Sequence, residues 1–538
     1  AALLGPLEAG TPAAAVAGPF RDRIARLRSP GGMRELLNRA ILNPTTPRTA
    51  ANRRTRKRRA LRAARKVRMC KCAAAAAEVD TFGIPEIDEA MIQQLRDKHP
   101  PRRQIPGWTA PAHEEVASAL VGRRLVTAAT LDHVVDKKAA KGTSPGIEGL
   151  REEALIGLKR ASDQGARAVL DLVRLVARGA VPPEVADCLS AGILVPIGKD
   201  TEEELQEKEA KAARDNTAYA PAARPISITS IITRFTAKCL AHQHKDAIQA
   251  ASDTDIQQCV GVPNGMETIQ QFVAMALEAC PTLGCLQLDI KNAFNEISRQ
   301  YLYEILSANP RLRHLVPFYR MTYLDREGCL YVYDGVSPAP VAVIPSAEGT
   351  RQGCPLAMFL YAMGAAVVLR WLRDLGTLVM AWADDTSIIC SPEMARKICS
   401  EINTTLQRTG LTVDFTPRDD PKDCKNKFIL PKEGEAGPMP AGVAGVQCAV
   451  VLGVPLGEAE EQQRLLMNVR SRQKKVLDQC GVMSDCGHPH AALRLLQVSG
   501  INRYQHVMRV LPPAATKELL QEADTHVQST LCRILDID

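Results

Sequence analysis

Short apolar runs separated by polar turns dominate the middle of the chain, and two of them flank a pair of acids. Leu378–Trp382 and Thr386–Cys390 are β-prone runs joined by Ala383, Asp384 and Asp385. Such runs predict a tight hairpin that carries both carboxylates at its turn. Like charges this close raise each other's proton affinity unless a cation lies beside them. The pattern favours a metal ion, although an isolated Asp-Asp turn is more commonly just solvated.

A third acid upstream changes that balance. Leu286–Asp289 predicts an apolar strand that ends in Asp289 and turns into a helix. Its carboxylate, next to a hairpin that presents two more, can bind two Mg²⁺ ions together with substrate phosphates. Two such ions clamp the attacking and leaving oxygens of a phosphoryl transfer. We therefore predict polymerase chemistry with Asp289, Asp384 and Asp385 as catalytic metal ligands, and Mn²⁺ as a substitute metal.

Three motifs follow one another along the chain: Asp289 with Ala293-Phe294, then Gly349-Thr350-Arg351-Gln352-Gly353-Cys354-Pro355-Leu356, then Ala383-Asp384-Asp385. Their residues and their order resemble the central motifs of reverse transcriptases, in particular those of the non-LTR (LINE-type) retrotransposon branch. The resemblance implies an α+β right-hand polymerase with fingers, an antiparallel palm sheet and a helical thumb. It also implies an RNA-directed DNA polymerase that takes an RNA template, a DNA primer or target DNA, and dNTPs.

The same resemblance implies a set of nucleotide-binding residues. Lys199 ends a strand similar to the family's first fingertip strand, and Arg224 lies in a segment similar to the second. A guanidinium fork and an ammonium both suit triphosphate oxygens. Phe294 matches the aromatic residue under the sugar, where its ring would collide with a 2′-hydroxyl and favour deoxynucleotides. Gln352 and Gly353 would meet the base pair, since glycine lets the backbone approach closely.

Beyond the hairpin, the resemblance leaves one assignment open. The family often carries a lysine, just after a strand expected here at Gly410–Phe415, that protonates the pyrophosphate. Four cations fit that place: Arg418, Lys422, Lys425 and Lys427. Further along, Val451–Leu456 resembles the turn that grips the primer end, which makes Gly453 a nucleic-acid-binding candidate.

Positive charge is concentrated in one arm. The formal net charge is +8, and residues 53–71 hold eleven Lys or Arg and no acid. Such density predicts phosphate binding, a nuclear localisation signal, or both, and a merely solvated charge run is the alternative. We therefore expect a nuclear or nucleocytoplasmic protein. The nucleic-acid-binding candidates in the arm are Arg53, Arg54, Arg56, Lys57, Arg58 and Arg59.

The composition and the positions of turn-forming residues predict the domain organisation. The chain contains no run of about 18 apolar residues, so the sequence predicts no membrane span. Its sixteen cysteines are scattered, which is typical of reduced thiols. Cys480, Cys486, His488 and His490 have metal-ligand types, but their spacing favours a loop between helices. The expected regions are a basic, low-complexity and partly disordered N-terminal extension (1–79), a helical linker (80–135), fingers and palm (136–457) and a helical thumb (458–538).

Rival interpretations rest on what surrounds the motifs. The first residue is Ala rather than Met, so we expect a fragment, and a separate endonuclease is a conceivable partner. A catalytically inactive retroelement fragment that only binds RNA is the alternative function. An RNA-dependent RNA polymerase or a splicing maturase is disfavoured, because such RNA polymerases carry a smaller or polar residue in place of Phe294.

Overall fold

The computed structural model has the α+β architecture that the sequence predicts. It describes residues 60–61, 63–64, 85–103, 125–138, 143–199, 205, 208, 210, 214, 221–337, 339–418, 420–421 and 424–537. The predictions for Arg53 to Arg59 and for Lys422 lie outside the described residues.

The fingers combine a four-stranded sheet with a layer of helices. Its strands, in the order β2-β1-β4-β5, are β1 (Gly192–Gly198), β2 (Ala223–Thr229), β4 (Gly328–Val332) and β5 (Ala342–Ser346). The helices are α1 (Glu89–Asp97), α2 (Ala128–His133), α3 (Glu152–Ala161), α4 (Asp163–Ala177), α5 (Pro183–Ser190), α6 (Ile231–Gln243) and α7 (Lys245–Ala251). In α4, Val169, Val173 and Val176 recur at helical spacing and are buried, so this face packs inward.

Helix α1, in the region predicted as a helical linker (80–135), packs on the fingers sheet. The Asp88 side chain caps the helix by accepting from Met91 N at 2.7 Å. The buried face of α1, which includes Met91 and Leu95, joins a cluster with Leu194 and Ile344 of the sheet. This burial holds the N-terminal segment against the fingers.

The palm is a five-stranded sheet in the order β6-β7-β3-β8-β9. Its strands are β3 (Gly284–Asp289), β6 (Leu378–Trp382), β7 (Asp385–Cys390), β8 (Asn426–Ile429) and β9 (Val443–Val446). The pairs are antiparallel, as predicted, except that β8 and β9 are parallel. The connection 430–442 between them is long enough for the crossover that a parallel pair requires. The strand expected at Gly410–Phe415 is reduced to a single bridge between Val413 and Ile290.

Helices back the palm sheet and supply most of its core. They are α8 (Gly265–Ala279), α9 (Ala293–Glu296), α10 (Arg299–Ala308), α11 (Val316–Tyr319), α12 (Ala357–Asp374) and α13 (Pro392–Leu406). Helix α12 is buried on nearly every side, which explains its apolar composition, since a helix apolar all round belongs inside a large core. It packs against β6, the strand that leads to the paired acids Asp384 and Asp385, and so supports that end of the sheet from behind.

A β-hairpin and a set of helices follow the palm. They are β10 (Cys448–Val451), β11 (Val454–Gly457), α14 (Ala459–Asp485), α15 (Pro489–Leu495), α16 (Gln505–Met508) and α17 (Pro513–Leu535). Cys480 is buried within α14, and Ala60, Ala63 and Ala64 pack into the same apolar cluster. The loop interpretation therefore fits only the short connection at Cys486–His488 between α14 and α15. None of the helices in the described part of the chain is long and apolar enough to cross a membrane.

Candidate active site

Two of the three acids meet across the palm sheet. Asp289 is the last residue of β3, Asp385 is the first residue of β7, and the two pair directly in the antiparallel ladder. Asp384 precedes Asp385 in the turn of the β6-β7 hairpin. Directly opposite residues of an antiparallel pair point to the same face of the sheet. The register therefore gathers three carboxylates at one edge.

The turn that carries the acids is held by one buried glutamine. Trp382 and Asp385 pair in register, so Ala383 and Asp384 alone form the turn. Ala383 has a φ of 57°, in the left-handed region that alanine rarely adopts. Gln257 Nε2 donates to Ala383 O at 3.0 Å, and Ala383 N donates to Gln257 Oε1 at 2.8 Å. This double contact offsets the strain and fixes the turn.

Asp289 is held from the opposite side of the sheet. The buried Asn426, at the start of β8, accepts from Asp289 N through its Oδ1 at 3.0 Å. Its Nδ2 donates to Asp414 O at 2.7 Å and to Gly442 O at 3.3 Å. A buried amide with its partners satisfied is rigid. Asn426 therefore locks the strand end that presents the Asp289 carboxylate.

The electrostatics of the edge call for positive charge. Burial, and after it the charge of Asp289, raises the pKa of Asp384. Burial also raises the pKa of Asp385 to about 6, with Asp384 and Asp289 adding to the shift. The charge of Asp289 thus opposes the ionisation of Asp384 and Asp385, and a nearby cation would relieve this repulsion.

The acids fit a divalent metal site that a substrate completes. Within the ranges that the structure describes, no three His, Cys, Asp or Glu side chains form a closed metal cage. Mg²⁺ commonly uses one or two carboxylates, water and substrate phosphates instead of such a cage. The Lys425 ammonium lies 3.3 Å from Asp289 Oδ2, so this edge accommodates a cation. Asp289, Asp384 and Asp385 are the residues that would hold the metal.

Two of the predicted phosphate-binding cations face this edge from the fingers. Lys199 directly follows β1, and Arg224 is the second residue of β2. Burial, then Arg224 and Lys425, lowers the pKa of Lys199, while Asp289 and Asp384 oppose that shift. Because charges act over short range in water, these influences place the fingertip beside the acids.

Phe294 forms a supported surface near the acids. It lies in α9, five residues after Asp289, and its half-buried ring stacks on Tyr361 of α12 with centroids 4.8 Å apart. Tyr361 is fully buried in the palm core. The ring of Phe294 is therefore backed by the core and has little room to move.

The loop that precedes α12 is tied both to the fingers and to the turn after β3. Ser227 N of β2 donates to Gln352 O at 2.7 Å, and Thr350 N donates to Phe294 O at 2.6 Å. Gly353 has a φ of 119°, and a Cβ there would collide with the Ser227 carbonyl. Only glycine fits this close crossing, so Gln352 and Gly353 are held between fingertip and palm.

The loop is shaped by a buried arginine, Arg299, that the sequence analysis did not predict. Arg299, at the start of α10, donates to Gly349 O at 2.8 Å and to Tyr323 O at 2.9 Å. It also donates to Ser346 O at 2.6 Å, and its own backbone N donates to Glu348 Oε2 at 2.9 Å. Burial lowers the pKa of Arg299 to about 9. An arginine on a helix is ordinarily exposed, so only the fold reveals this role.

The β10-β11 turn borders the same groove. Leu452 and Gly453 have φ values of 48° and 95°, which is why glycine suits the turn. Leu452 lines a cavity of about 160 Å³ that Asp289, Asp385 and Lys425 also line. The hairpin that carries Gly453 thus lies beside the sheet edge that carries Asp289 and Asp385.

The structure distinguishes the three described candidates for the cation near the pyrophosphate, which are Arg418, Lys425 and Lys427. Lys425 contacts Asp289, whereas Arg418 lies 3.6 Å from Asp414 in an ion pair. Lys427 lines the same cavity as Leu452 and Asp289. The geometry therefore favours Lys425 among the described candidates.

The central part of the chain matches a known family. Residues 211–416 match the reverse transcriptase (RNA-dependent DNA polymerase) family. An uncharacterized 149 kDa protein of Transposon TX1 from Xenopus laevis is 26% identical over 226 residues, covering 36% of this chain and 17% of that protein. The chain therefore spans less than a fifth of this curated relative's length.

Two solved polymerase structures are similar in outline. The crystal structure of the RNA-dependent RNA polymerase of a human picobirnavirus gives a TM-score of 0.40 at 9% identity, covering 94% of this chain and 97% of that chain. Apo telomerase from Candida tropicalis gives a TM-score of 0.31 at 10% identity, covering 79% and 93%. The three motifs, Asp289 with Ala293-Phe294, the loop 349–356 and Ala383-Asp384-Asp385, all lie within residues 211–416, the stretch that is similar to the reverse transcriptase family.

Proposed function

We propose that this chain copies RNA into DNA by extending the 3′-hydroxyl of a DNA primer with dNTPs. The observation that carries the proposal is the convergence of Asp289, Asp384 and Asp385 at one sheet edge. The cations Lys199 and Arg224 face that edge from the fingers. Clustered acids opposite clustered cations suit a metal-bound triphosphate, because each cluster stabilises one half of that ligand.

Two Mg²⁺ ions, when bound, would lower the barrier by stabilising the attacking and leaving oxygens of the phosphoryl transfer. The three carboxylates would hold them. Gln257 and Asn426 keep the backbone that carries those carboxylates in place through hydrogen bonds to Ala383 and Asp289. Lys425, beside Asp289, is placed to give a proton to the pyrophosphate that leaves.

Selection of deoxynucleotides would rest on Phe294. Its ring stacks on the buried Tyr361, so a 2′-hydroxyl pressed against it would find no space. Such a steric device excludes the larger sugar, since a tightly packed wall cannot yield without disturbing the core. The template and primer would form an A-like heteroduplex that is gripped mainly through its backbone and shape.

Primer extension tests the proposal. A DNA primer is annealed to an RNA template, and Mg²⁺-dependent extension is measured with dNTPs and separately with NTPs. The unmodified chain is compared with Asp384→Asn, which removes one charge at constant size. We expect the unmodified chain to extend the primer with dNTPs but not with NTPs. In Asp384→Asn the rate of extension should fall on the order of 10³-fold.

A binding control separates the rival function. Both proteins are titrated with the same duplex, and folding is checked by thermal unfolding. Folded protein that binds the duplex but never extends it would indicate an inactive, RNA-binding retroelement fragment. Extension with NTPs in preference to dNTPs would indicate an RNA polymerase.

A further inference from the structure

The segment 85–103 lies outside residues 211–416, which match the family, yet it reaches the nucleotide site. Helix α1 rests on the fingers sheet through its apolar face. Its polar face holds the edge of β2: Gln94 Nε2 donates to Pro221 O at 3.2 Å, and Ala223 N donates to Gln94 Oε1 at 3.0 Å. The helix thus fixes the strand that carries Arg224.

The segment also contacts the palm. Asn292, in the turn after Asp289, donates through Nδ2 to Lys98 O at 2.9 Å. Arg103 N donates to Glu348 Oε1 at 2.9 Å, and its guanidinium pairs with Glu296. Residues 85–103 therefore join the fingertip, the turn after β3 and the loop before α12 into one wall.

Lys98 lies at the centre of that wall. Its ammonium donates to Ala223 O and approaches Gln94 Oε1 at 3.4 Å. Ala223 pairs with Gly198 across the fingertip hairpin, so its neighbours along the two strands are Arg224 and Lys199. Three cations from three separate segments are thereby brought to the end of the β1-β2 hairpin where Gly198 pairs with Ala223.

The described charges that act most strongly on Lys98 are positive. Burial, and after it the charges of Lys199 and Lys425, lower the pKa of Lys98 to about 8. No carboxylate in the described part of the chain forms an ion pair with Lys98. A half-buried cation without an acid beside it, such as Lys98, is less stable than one that binds an anion. The arrangement therefore suits a ligand with several negative charges, bound between fingertip and acids.

We propose that Lys98 is a phosphate-binding residue, whose ammonium acts with Lys199 and Arg224 on the triphosphate of the incoming nucleotide. This inference rests on the proposed polymerase function and adds a residue from the N-terminal segment to its nucleotide site. Because the ammonium has three donors, it can keep the bond to Ala223 O and still donate to a phosphate oxygen.

Nucleotide binding without chemistry provides the test. A primer with a dideoxy end is annealed to RNA, Ca²⁺ replaces Mg²⁺, and the affinity for the next dNTP is read from a fluorescent base in the template. Lys98→Met removes the charge and keeps the stem, and Lys98→Arg restores the charge. Arg96→Met is the matched control, since it removes a cation from the same helix where Arg96 pairs with Glu89 at 3.2 Å.

We expect Lys98→Met to weaken dNTP binding about tenfold, the size of one charge-assisted hydrogen bond. In extension assays the KM for dNTP should rise equally while kcat changes little. Lys98→Arg and Arg96→Met should bind within about twofold of the unmodified chain. The duplex affinity and the unfolding temperature should be similar in all four proteins.

The outcomes are distinct. If the unmodified chain extends primers and Lys98→Met binds dNTP equally well, the inference is wrong. If Lys98→Arg is as weak as Lys98→Met and both unfold at lower temperature, Lys98 serves only to hold Ala223. If the unmodified chain neither extends primers nor binds dNTP, the polymerase proposal itself fails.

Discussion

The catalytic edge of the palm and the wall opposite it are built in contrasting ways. At the edge, a single hairpin and the strand beside it present all three acids, and the ladder of β3 and β7 sets their spacing. On the wall, Lys98, Lys199 and Arg224 come from three segments; Lys98 and Ala223 are 125 residues apart in sequence. Local pairing is enough for the acids, whereas the cations require a complete fold.

The two regions also carry opposite charge, and neither is balanced internally. Burial, and after it the neighbouring acids, raises the pKa of Asp384 and Asp385, while burial and the neighbouring cations lower those of Lys98 and Lys199. Each region therefore stores unfavourable charge that the other cannot fully relieve. A metal-bound triphosphate between them would neutralise both regions. Its affinity would therefore depend on the acids and on the cations together.

The largest effect is expected at the catalytic edge, within the set of acids itself. Asp289→Asn should lower single-turnover extension on the order of 10³-fold, because it removes a metal ligand from the strand end. Asp385→Asn should cost less, since this residue is the more exposed of the turn pair. Equal losses in the two variants, with unchanged duplex binding, would contradict this ranking.

Sugar selection should change next most strongly. Phe294→Val shortens the side chain that stacks on Tyr361 and opens space under the sugar. We expect the preference for dNTPs over NTPs to fall about 10²-fold, measured as the ratio of kcat/KM values. Extension with dNTPs serves as the control and should be only mildly reduced. An unchanged ratio would remove Phe294 from sugar discrimination.

The support of the hairpin turn should have an intermediate effect. Gln257→Met removes both bonds to Ala383 and leaves a strained turn without partners. We expect about a tenfold slower extension and a loss of about 2 kcal/mol in the free energy of unfolding. Gln258→Met is the matched control, because this neighbouring glutamine bonds to Thr254 O rather than to the turn. Equal extension by both variants would contradict the role of Gln257.

The smallest effect concerns the pH dependence of the wall. The pKa of Lys98 is lowered to about 8, so its charge is present below pH 8 and is lost as the pH rises through that value. The KM for dNTP should then rise about threefold more between pH 7 and 9 in the unmodified chain than in Lys98→Arg. The charged neighbours Lys199, Arg224 and Lys425 are present in both proteins, so their own titration cancels in this comparison. Parallel pH profiles would contradict the prediction.

The sequence determined the palm and its acids because their signals are local. Alternating and apolar runs specify strands, and the Asp-Asp turn lies between two of them, so the hairpin and its chemistry can be inferred from a few neighbouring residues. The motifs around Phe294 and Gln352 added the nucleotide-side residues through resemblance. Even the parallel β8-β9 pair changes only the far side of that sheet.

Only the tertiary structure decided what holds those residues in place. The supporting side chains bond to backbone groups far away in sequence; they are Gln257, Asn426 and Arg299. The residue type alone does not tell whether such a polar side chain is buried or exposed. Lys98 likewise gains its place only when α1 docks on the fingers. The physical reason is that periodicity reports which face of an element is buried, whereas the partner of a polar group depends on how distant elements pack.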